Sequence, residues 1–124
     1  MDEVRFDVEK LSRVPSFWYL ATPYSGHAHG MEVAAIEAAQ MTGWLQNRYV
    51  PVFCPIIHGH ASSKYTELPH TCDVWLSIDR PFMSVAWGII VGQLSNWDTS
   101  HGIAEERKFF AGMKKPYTFM EWPQ

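Results

Sequence analysis

The stretch WGIIVGQL, residues 87–94, is a mostly apolar run of strand length that contains no charged residue. A strand with one face in water alternates apolar and polar residues, whereas a strand covered on both faces reads as a continuous apolar run. The stretch therefore predicts a fully buried strand of the kind found in parallel sheets, with helices packed on both sides.

Three further segments have strand length, and segments with helical features lie between them. Strands are expected at FWYLA (17–21), YVPVFC (49–54) and YTFME (117–121), and helices at 31–48, 71–84 and 101–115. The first of these helices has apolar residues at helical spacing, namely Ala34, Ala38, Met41 and Leu45. Residues 55–70 are expected to form a long loop, and loops of that length in a compact domain are usually functional.

Alternating strands and helices predict one α/β domain of the flavodoxin-like or Rossmann-like type, with a parallel sheet of four to five strands. We expect this domain at residues 17–124, after a polar leader at residues 1–16. The usual small arrangement has strand order 2-1-3-4, and ligands bind at the carboxyl ends of the strands where the connection reverses direction. That rule selects the loops 22–30 and 94–101 as the functional edge.

Composition limits the kinds of function that are compatible with the chain. Of its 124 residues, 47% are hydrophobic and 19% are charged, which is typical of a globular domain. The net charge of −3 disfavours a nucleic-acid partner. Its two cysteines fit no zinc spacing, no signal peptide is recognisable, and the longest apolar stretch is far short of the roughly 20 residues of a membrane span. We therefore expect a soluble cytoplasmic protein with no membrane partner.

Glu106 is the first candidate for a catalytic group. On a helical wheel of the segment 101–115, Glu105 projects nearly opposite the apolar cluster, whereas Glu106 lies on its border, roughly 80° from the centre. The positive end of a helix favours an ionised carboxylate in its first turns, and an ionised carboxylate can act as a nucleophile. The alternative is that both acids are ordinary solvated charges of a first helical turn.

Other polar residues lie close to the predicted edge. Asp79 is expected near the carboxyl end of the helix 71–84, where the helix dipole disfavours a negative charge. Tyr24 could stack on a ring, and Asp98 could either orient sugar hydroxyls or only shape its turn. His58 belongs to a His-x-His pattern, but no carboxylate or cysteine stands at ligand spacing, so we expect no metal. The histidine could bond a sugar or base, or it could simply be a polar residue of the loop.

Several motifs together resemble one family. SHGIAEE (100–106), FFAGMKKPY (109–117), YLATPYS (19–25) and SIDRPFMSVAWGIIV (77–91) resemble, in order and spacing, the motifs of nucleoside 2-deoxyribosyltransferases and deoxynucleoside-5′-monophosphate N-glycosidases. The segment PVFCPIIHGHA (51–61) looks most like an uncharacterised branch of that superfamily. The resemblance covers about residues 17–121, which is nearly the whole predicted domain.

The resemblance implies a role for each matching residue. At the position of Glu106 the family has a glutamate that attacks C1′ of the sugar, at Asp79 an aspartate that assists proton transfer, and at Ser100 a serine near the 5′ group. From these motifs and the residues together, we expect catalysis by Glu106 and Asp79. The expected substrate-binding groups are Ser100, Gly102, Tyr24, Ser25, Gly26, Asp98 and His58. The resemblance further implies a nucleoside or nucleotide as ligand, no cofactor, and a homo-oligomer, either a dimer or a tetramer.

The sequence departs from the family pattern at two places. The loop 22–30 lacks the arginine and double glycine of the family's nucleotide hydrolases, so recognition of a 5′-phosphate stays open. Arg107 follows Glu106, and it could either lower the pKa of that carboxyl or hold it in an inert ion pair. The second outcome would give a non-catalytic nucleotide-binding or sensor module. A flavodoxin-type electron carrier is less compatible, since the first loop has no hydroxyl-rich phosphate cradle.

Overall fold

Four parallel strands form a single sheet in the computed structural model, which describes residues 2–124. They are β1 (Trp18–Ala21), β2 (Val52–Phe53), β3 (Gly88–Gln93) and β4 (Tyr117–Glu121). The order across the sheet is β2-β1-β3-β4, with every neighbouring pair parallel. The predicted α/β class and the predicted order 2-1-3-4 are both confirmed.

Residues 2–124 also contain five helices and one short 3-10 helix, of which α1 precedes the first strand and the others lie between strands. The helices are α1 (Val8–Leu11), α2 (Met31–Gln46), α3 (Pro55–Ser63), α4 (Cys72–Val85) and α5 (His101–Gly112), and the 3-10 helix covers Trp97–Thr99. The helices expected at 31–48, 71–84 and 101–115 are therefore present, with bounds that differ by a few residues. Within residues 2–124, none of them has both the length and the apolar character needed to cross a membrane.

The prediction of a long loop at 55–70 is wrong for its first half, which forms α3. Pro55 occupies the first helical position, where its fixed φ suits the helix and its missing N–H removes no hydrogen bond. Cys54 precedes it in an extended conformation that lets the helix start directly after β2. His58 is consequently an exposed helical residue and not part of a flexible loop.

Both faces of the sheet are covered, as the apolar run at 87–94 predicts. Along β1, Trp18 and Leu20 belong to the core on the α2 side, and Tyr19 and Ala21 belong to the core on the α4 and α5 side. This alternation follows from the two-residue period of a strand. All four side chains are at most 2% exposed.

Helix α3 lies across the carboxyl edge of the sheet. It packs against α2 and β1, and the ring of Trp75 in α4 lies against its Gly59. Helices α2 and α4 cover opposite faces of the sheet. Because α3 contacts both of them, it covers the edge at which the predicted functional loops emerge.

Candidate active site

Glu106 is a buried carboxyl group held by a strand residue. Its side chain emerges from the second turn of α5, is 7% exposed, and accepts a hydrogen bond from the hydroxyl of Tyr19 in β1. Glu105 is half-buried and pairs with Lys108 at 3.4 Å, on the outer side of the same helix. The helical wheel therefore correctly predicts that Glu106 is the more buried of the two acids. Glu106 is, however, buried more deeply than a position on the border of the apolar cluster implies.

Burial changes the protonation of Glu106. Loss of solvation raises the pKa of its carboxyl to about 8, the negative charge of Asp79 adds to the increase, and the hydrogen bond from Tyr19 opposes it. The same burial raises the pKa of the Tyr19 hydroxyl, so Tyr19 remains a proton donor. Glu106 thus titrates close to neutral pH, the range in which a carboxyl group can exchange its proton during a reaction.

Asp79 is the second acid of the site. It lies near the middle of α4, and not near its carboxyl end as expected, because the helix begins at Cys72 and continues through Pro81 to Val85. Trp75 and Phe82 are its neighbours one turn away on the same helix face. Burial raises the pKa of Asp79 to about 6, and the charge of His58 on α3 opposes this increase.

Aromatic rings connect the site to β2. Phe53 of β2 stacks on Phe82 of α4 with ring centroids 4.5 Å apart, and its centroid lies 6.2 Å from that of Tyr19. Asp79 and Glu106 therefore share a weakly solvated region between β1, β2, α4 and α5, in which the charge of one acid affects the titration of the other.

Arg107 does not interact with Glu106. Its guanidinium group lies 5.2 Å from the ring centroid of Phe119 and 5.9 Å from that of Tyr117. Among residues 2–124 no ion pair joins Arg107 to Glu106, and the pKa of Glu106 is raised and not lowered. Both expected effects of Arg107 are thus contradicted, because its side chain points to the aromatic residues of β4.

Ser100 and Gly102 form the start of α5. Ser100 is the N-cap residue, and its hydroxyl accepts a hydrogen bond of 3.3 Å from the backbone N–H of Ile103. A Cβ atom on Gly102 would lie 3.9 Å from both the Ser100 hydroxyl oxygen and the sulfur of Cys72. Cys72 is a half-buried free thiol, and burial together with the charge of Glu106 raises its pKa.

The loop 22–30 carries the remaining expected binding groups. Ser25 and Gly26 are exposed, and the carbonyl of Gly26 accepts a hydrogen bond of 2.9 Å from the side chain of Asn96. Asp98 is exposed in the 3-10 helix. Tyr24 is half-buried, and its hydroxyl lies 2.5 Å from Nδ1 of His60 on α3. The structure therefore links this loop both to α3 and to the turn before α5.

His27 has a structural role in that loop. Its side chain is 1% exposed, its Nε2 lies 2.5 Å from a carboxylate oxygen of Glu37 in α2, and its Nδ1 accepts the backbone N–H of His29 at 3.0 Å. An imidazole that accepts at Nδ1 carries its proton on Nε2, so His27 donates to Glu37. Within residues 2–124, no three histidine, cysteine or acidic side chains are grouped as a metal would require.

Comparison with known families gives a match over most of the chain. Residues 16–122 match a family described as a domain of unknown function, DUF1937. The chain belongs to this family. The matched DUF1937 segment contains all four strands and α2 to α5, and therefore Tyr19, Asp79 and Glu106. No protein of curated function matches the chain.

Within the DUF1937 segment, reasoning from sequence did not identify Tyr19 and Cys72 as neighbours of Glu106, and it left open whether His27 is solvated, whereas the structure buries it. The signal for Tyr19 is weak but present, since strand periodicity places it on the opposite face of β1 from Trp18 and Leu20. Nothing local in the sequence indicates that His27 is buried, because its burial depends on Glu37, ten positions later.

Proposed function

We propose that the protein cleaves or transfers the N-glycosidic bond of a (deoxy)nucleoside or nucleoside 5′-monophosphate, with Glu106 as nucleophile and Asp79 as proton-transfer partner. One observation carries the proposal: Glu106 is a buried carboxyl on the helix that starts at the edge predicted to be functional, it accepts a hydrogen bond from Tyr19, and the charge of the half-buried Asp79 raises its pKa. Two carboxyl groups whose pKa values are shifted by their surroundings are typical of acid–base and nucleophilic sites.

The chemistry follows the two-carboxylate scheme of retaining glycosidases. The Glu106 carboxylate attacks C1′ and forms a glycosyl ester, while the bond from C1′ to the base nitrogen breaks and its electron pair leaves with the base. Asp79 donates the proton that the leaving base takes up. Water or a second base then attacks C1′ and releases Glu106, which gives hydrolysis in the first case and transfer in the second.

The proton inventory of the pair is compatible with this scheme. Because the two acids interact, pKa values of about 6 and about 8 describe the pair and not only the single residues. Between these values the pair holds one proton. The two values place that proton mainly on Glu106, so the reactive arrangement, with the proton on Asp79 and the charge on Glu106, is the minor form of the pair. The hydrogen bond from Tyr19 favours this form, because it stabilises the charged carboxylate of Glu106.

Substrate access requires movement. At 7% exposure Glu106 cannot meet a sugar ring in the present conformation, so the proposal requires covering side chains or α3 to shift when substrate binds. Loops or segments that open to admit substrate and close to exclude water are common among enzymes.

The test incubates the protein with a panel of nucleosides and nucleoside 5′-monophosphates and measures the released free base by chromatography. Wild type is compared with Glu106→Ala and Asp79→Asn, and Glu105→Ala is the matched control on the same helix. We expect base release by wild type and by the control, and none above background from Glu106→Ala. A covalent glycosyl adduct in the intact mass of wild type, absent from Glu106→Ala, identifies the ester; adding a second free base separates transfer from hydrolysis.

One observation favours a non-catalytic alternative. A carboxyl group with a pKa of about 8 is mostly uncharged at neutral pH, which suits a nucleotide-binding or sensor module that keeps the fold but not the chemistry. The same panel distinguishes the two functions. Saturable binding of a nucleoside or nucleotide, with no base released from any compound of the panel between pH 5 and 9, would show a binding module and not an enzyme.

A further inference from the structure

Three side chains from three elements form a hydrogen-bonded chain at the carboxyl edge. Nδ1 of His60 lies 2.5 Å from the hydroxyl oxygen of Tyr24, and Nε2 of the same ring lies 3.0 Å from a carboxylate oxygen of Glu32. Tyr24 belongs to the loop after β1, His60 to α3 and Glu32 to the first turn of α2. The His60 side chain is 14% exposed, so the ring is held in one place between its two partners.

The direction of each hydrogen bond follows from the charge of Glu32. The hydrogen bond from His60 and the charge of Lys64, 3.4 Å away, hold the pKa of Glu32 below its usual value, so Glu32 is an anion that only accepts. Nε2 of His60 must therefore carry a proton. In the neutral ring Nδ1 then has none, and it accepts the proton of the Tyr24 hydroxyl.

The Tyr24 oxygen is left with lone pairs and no proton to offer. Among residues 2–124 the geometry gives the Tyr24 hydroxyl one hydrogen-bond partner, the His60 ring. The Ser63 hydroxyl lies close enough to lower the pKa of Tyr24, and its own proton is directed to the His60 carbonyl at 2.8 Å. Burial raises the pKa of Tyr24, so the phenol stays protonated and its proton stays with His60. Towards a ligand, the Tyr24 oxygen can only accept.

We propose that Glu32 and His60 fix the Tyr24 hydroxyl as a hydrogen-bond acceptor for the bound nucleoside, so that the ligand must present a hydrogen-bond donor at this point. The proposal rests on the proposed function for the class of ligand. Tyr24 is the group that touches the ligand, and His60 and Glu32 are positioning residues. The donor is either a sugar hydroxyl or the exocyclic amino group of the base.

Protonation of His60 would reverse this preference. A charged imidazole donates from both nitrogens, so Nδ1 would donate to the Tyr24 oxygen and release the phenol proton towards the ligand. The charged groups that face the ring are Glu32 and, through Glu32, Lys64. Towards the ligand, the Tyr24 hydroxyl is then a donor when the ring is charged and an acceptor when the ring is neutral.

The first experiment observes the ring and needs no ligand. Long-range ¹H–¹⁵N NMR of the full chain at a pH where the His60 imidazole is neutral reports which nitrogen carries the proton, with the signals assigned from the His60→Gln spectrum. We expect the proton on Nε2 and an unprotonated Nδ1. A proton on Nδ1 would overturn the proposal, since Tyr24 would then be the acceptor of that proton and free to donate its own.

The second experiment uses 2′-deoxyadenosine and three analogues that lack one donor each: the 3′-hydroxyl, the 5′-hydroxyl or the 6-amino group. For the analogue that lacks the matching donor, we expect a KM about 3- to 10-fold higher in wild type, with kcat less affected. In Tyr24→Phe, the KM for 2′-deoxyadenosine rises by a similar factor and the difference between that analogue and the parent disappears. Which analogue behaves in this way identifies the sugar or the base as the source.

Matched variants separate positioning from folding. His60→Ala is expected to lose the discrimination, and His60→Gln to restore part of it, because an amide can accept from Tyr24 and donate towards Glu32. Tyr65→Phe and His70→Ala, both at exposed positions, are the controls. If Tyr24→Phe releases base and its KM ratios between analogues and 2′-deoxyadenosine equal those of wild type, Tyr24 is not an acceptor for the ligand. The proposed enzymatic function would be unaffected by that result. If NMR shows the proton on Nε2 of His60 but no nucleoside binds, the proposed function is wrong. The direction of the hydrogen bonds from Tyr24 through His60 to Glu32 would still be confirmed.

Discussion

Glu106 sits where its charge is costly but useful, and its surroundings give the site a pH dependence that can be measured. Burial and the charge of Asp79 raise its pKa to about 8, while Tyr19 donates a hydrogen bond that favours the anion. A solvated glutamate would always be charged at neutral pH. A pair that shares one proton between pH 6 and 8 can supply a nucleophile and an acid in one state.

The pH dependence of base release is expected to be bell-shaped. Below about pH 6 both acids are protonated and no nucleophile is present, and above about pH 8 both are charged and no proton is available for the base. In Asp79→Asn we expect the alkaline limb to disappear and the maximum rate to fall by about 10²- to 10⁴-fold. The measurement is kcat/KM from pH 5 to 9. An unchanged alkaline limb in Asp79→Asn would assign that limb to another group.

Stability is expected to fall as pH rises because of Glu106. The pKa is raised from 4.5 in the unfolded chain to about 8 in the folded one, so between these values the folded state binds the proton more tightly. The contribution is complete below pH 4.5 and is lost as pH rises to about 8, at up to about 1.4 kcal/mol per pH unit. Urea unfolding of wild type and Glu106→Gln across this range should show the slope in wild type and a flatter one in the variant. Parallel slopes would mean that Glu106 is not buried.

At the scale of elements, α3 shows where local sequence gives too little information. The segment 55–63 contains a proline, a glycine and two serines, residues that favour loops when they are judged one by one. Its helix is stabilised by contacts with α2, β1 and Trp75, which are distant in sequence. In contrast, α2, α4 and α5 carry their apolar periodicity locally, and the sequence was sufficient to predict them.

Helix α4 has a cap that comes from a distant lysine. The ammonium group of Lys115, which precedes β4, donates to the carbonyls of Ser84 and Ala86 at 2.6 Å each and to that of Met83 at 3.2 Å. These carbonyls lie at the end of α4, where the helix leaves them without partners and where a positive charge is favourable. The cap thus joins the end of α4 to the start of β4.

Replacing Lys115 by methionine keeps the apolar stem and removes the donors. We expect the free energy of unfolding to fall by about 1–3 kcal/mol, since charge-assisted hydrogen bonds to backbone carbonyls are lost. The measurement is urea denaturation, with Lys114→Met as the neighbouring control. If the two variants are equally stable, the cap contributes nothing beyond the loss of one surface charge.

Tyr49 ends the α2 region in a strained conformation. Its φ is +61°, in the left-handed region that favours glycine, and its side chain is 87% exposed. Tyr49→Gly should therefore raise the free energy of unfolding by up to about 1 kcal/mol, whereas Tyr49→Ala, which retains a Cβ atom, should not. Thermal unfolding of the two variants beside wild type measures the difference. Equal midpoints for both variants would show that the strain is negligible.

At the scale of the whole molecule, the sequence was sufficient to predict the sheet and the two helices that carry Asp79 and Glu106. The apolar run at β3 and the alternation of elements determine a parallel sheet, and a parallel sheet brings the carboxyl ends of β1 and β3 to one edge. The sequence was not sufficient to predict how deeply the Glu106 side chain is buried. The burial of Glu106 depends on Tyr19, which is 87 positions away, and on the packing of α4 against α5.

The packed unit extends beyond the segment that defines the family. Residues 16–122 match DUF1937, yet the backbone N–H of Val4 donates to the carbonyl of Tyr117 at 2.8 Å, and Glu3 forms a parallel bridge to Tyr117. Leu11 of α1 is 1% exposed in the core on the α2 side. The segment expected to be a polar leader therefore covers the edge strand β4 and fills part of the core.

Leu11 tests whether this N-terminal segment belongs to the cooperative unit. Its carbonyl accepts the indole N–H of Trp18 at 3.0 Å, so the residue is tied to β1 by its backbone as well as by its side chain. Leu11→Ala should lower the free energy of unfolding by about 2–5 kcal/mol, because a buried cavity replaces the isobutyl group. Urea denaturation followed by tryptophan fluorescence measures the change, with Glu9→Ala on the exposed side of α1 as control. If Leu11→Ala loses no more stability than Glu9→Ala, α1 unfolds independently of the sheet, and the cooperative unit begins near the start of the family match.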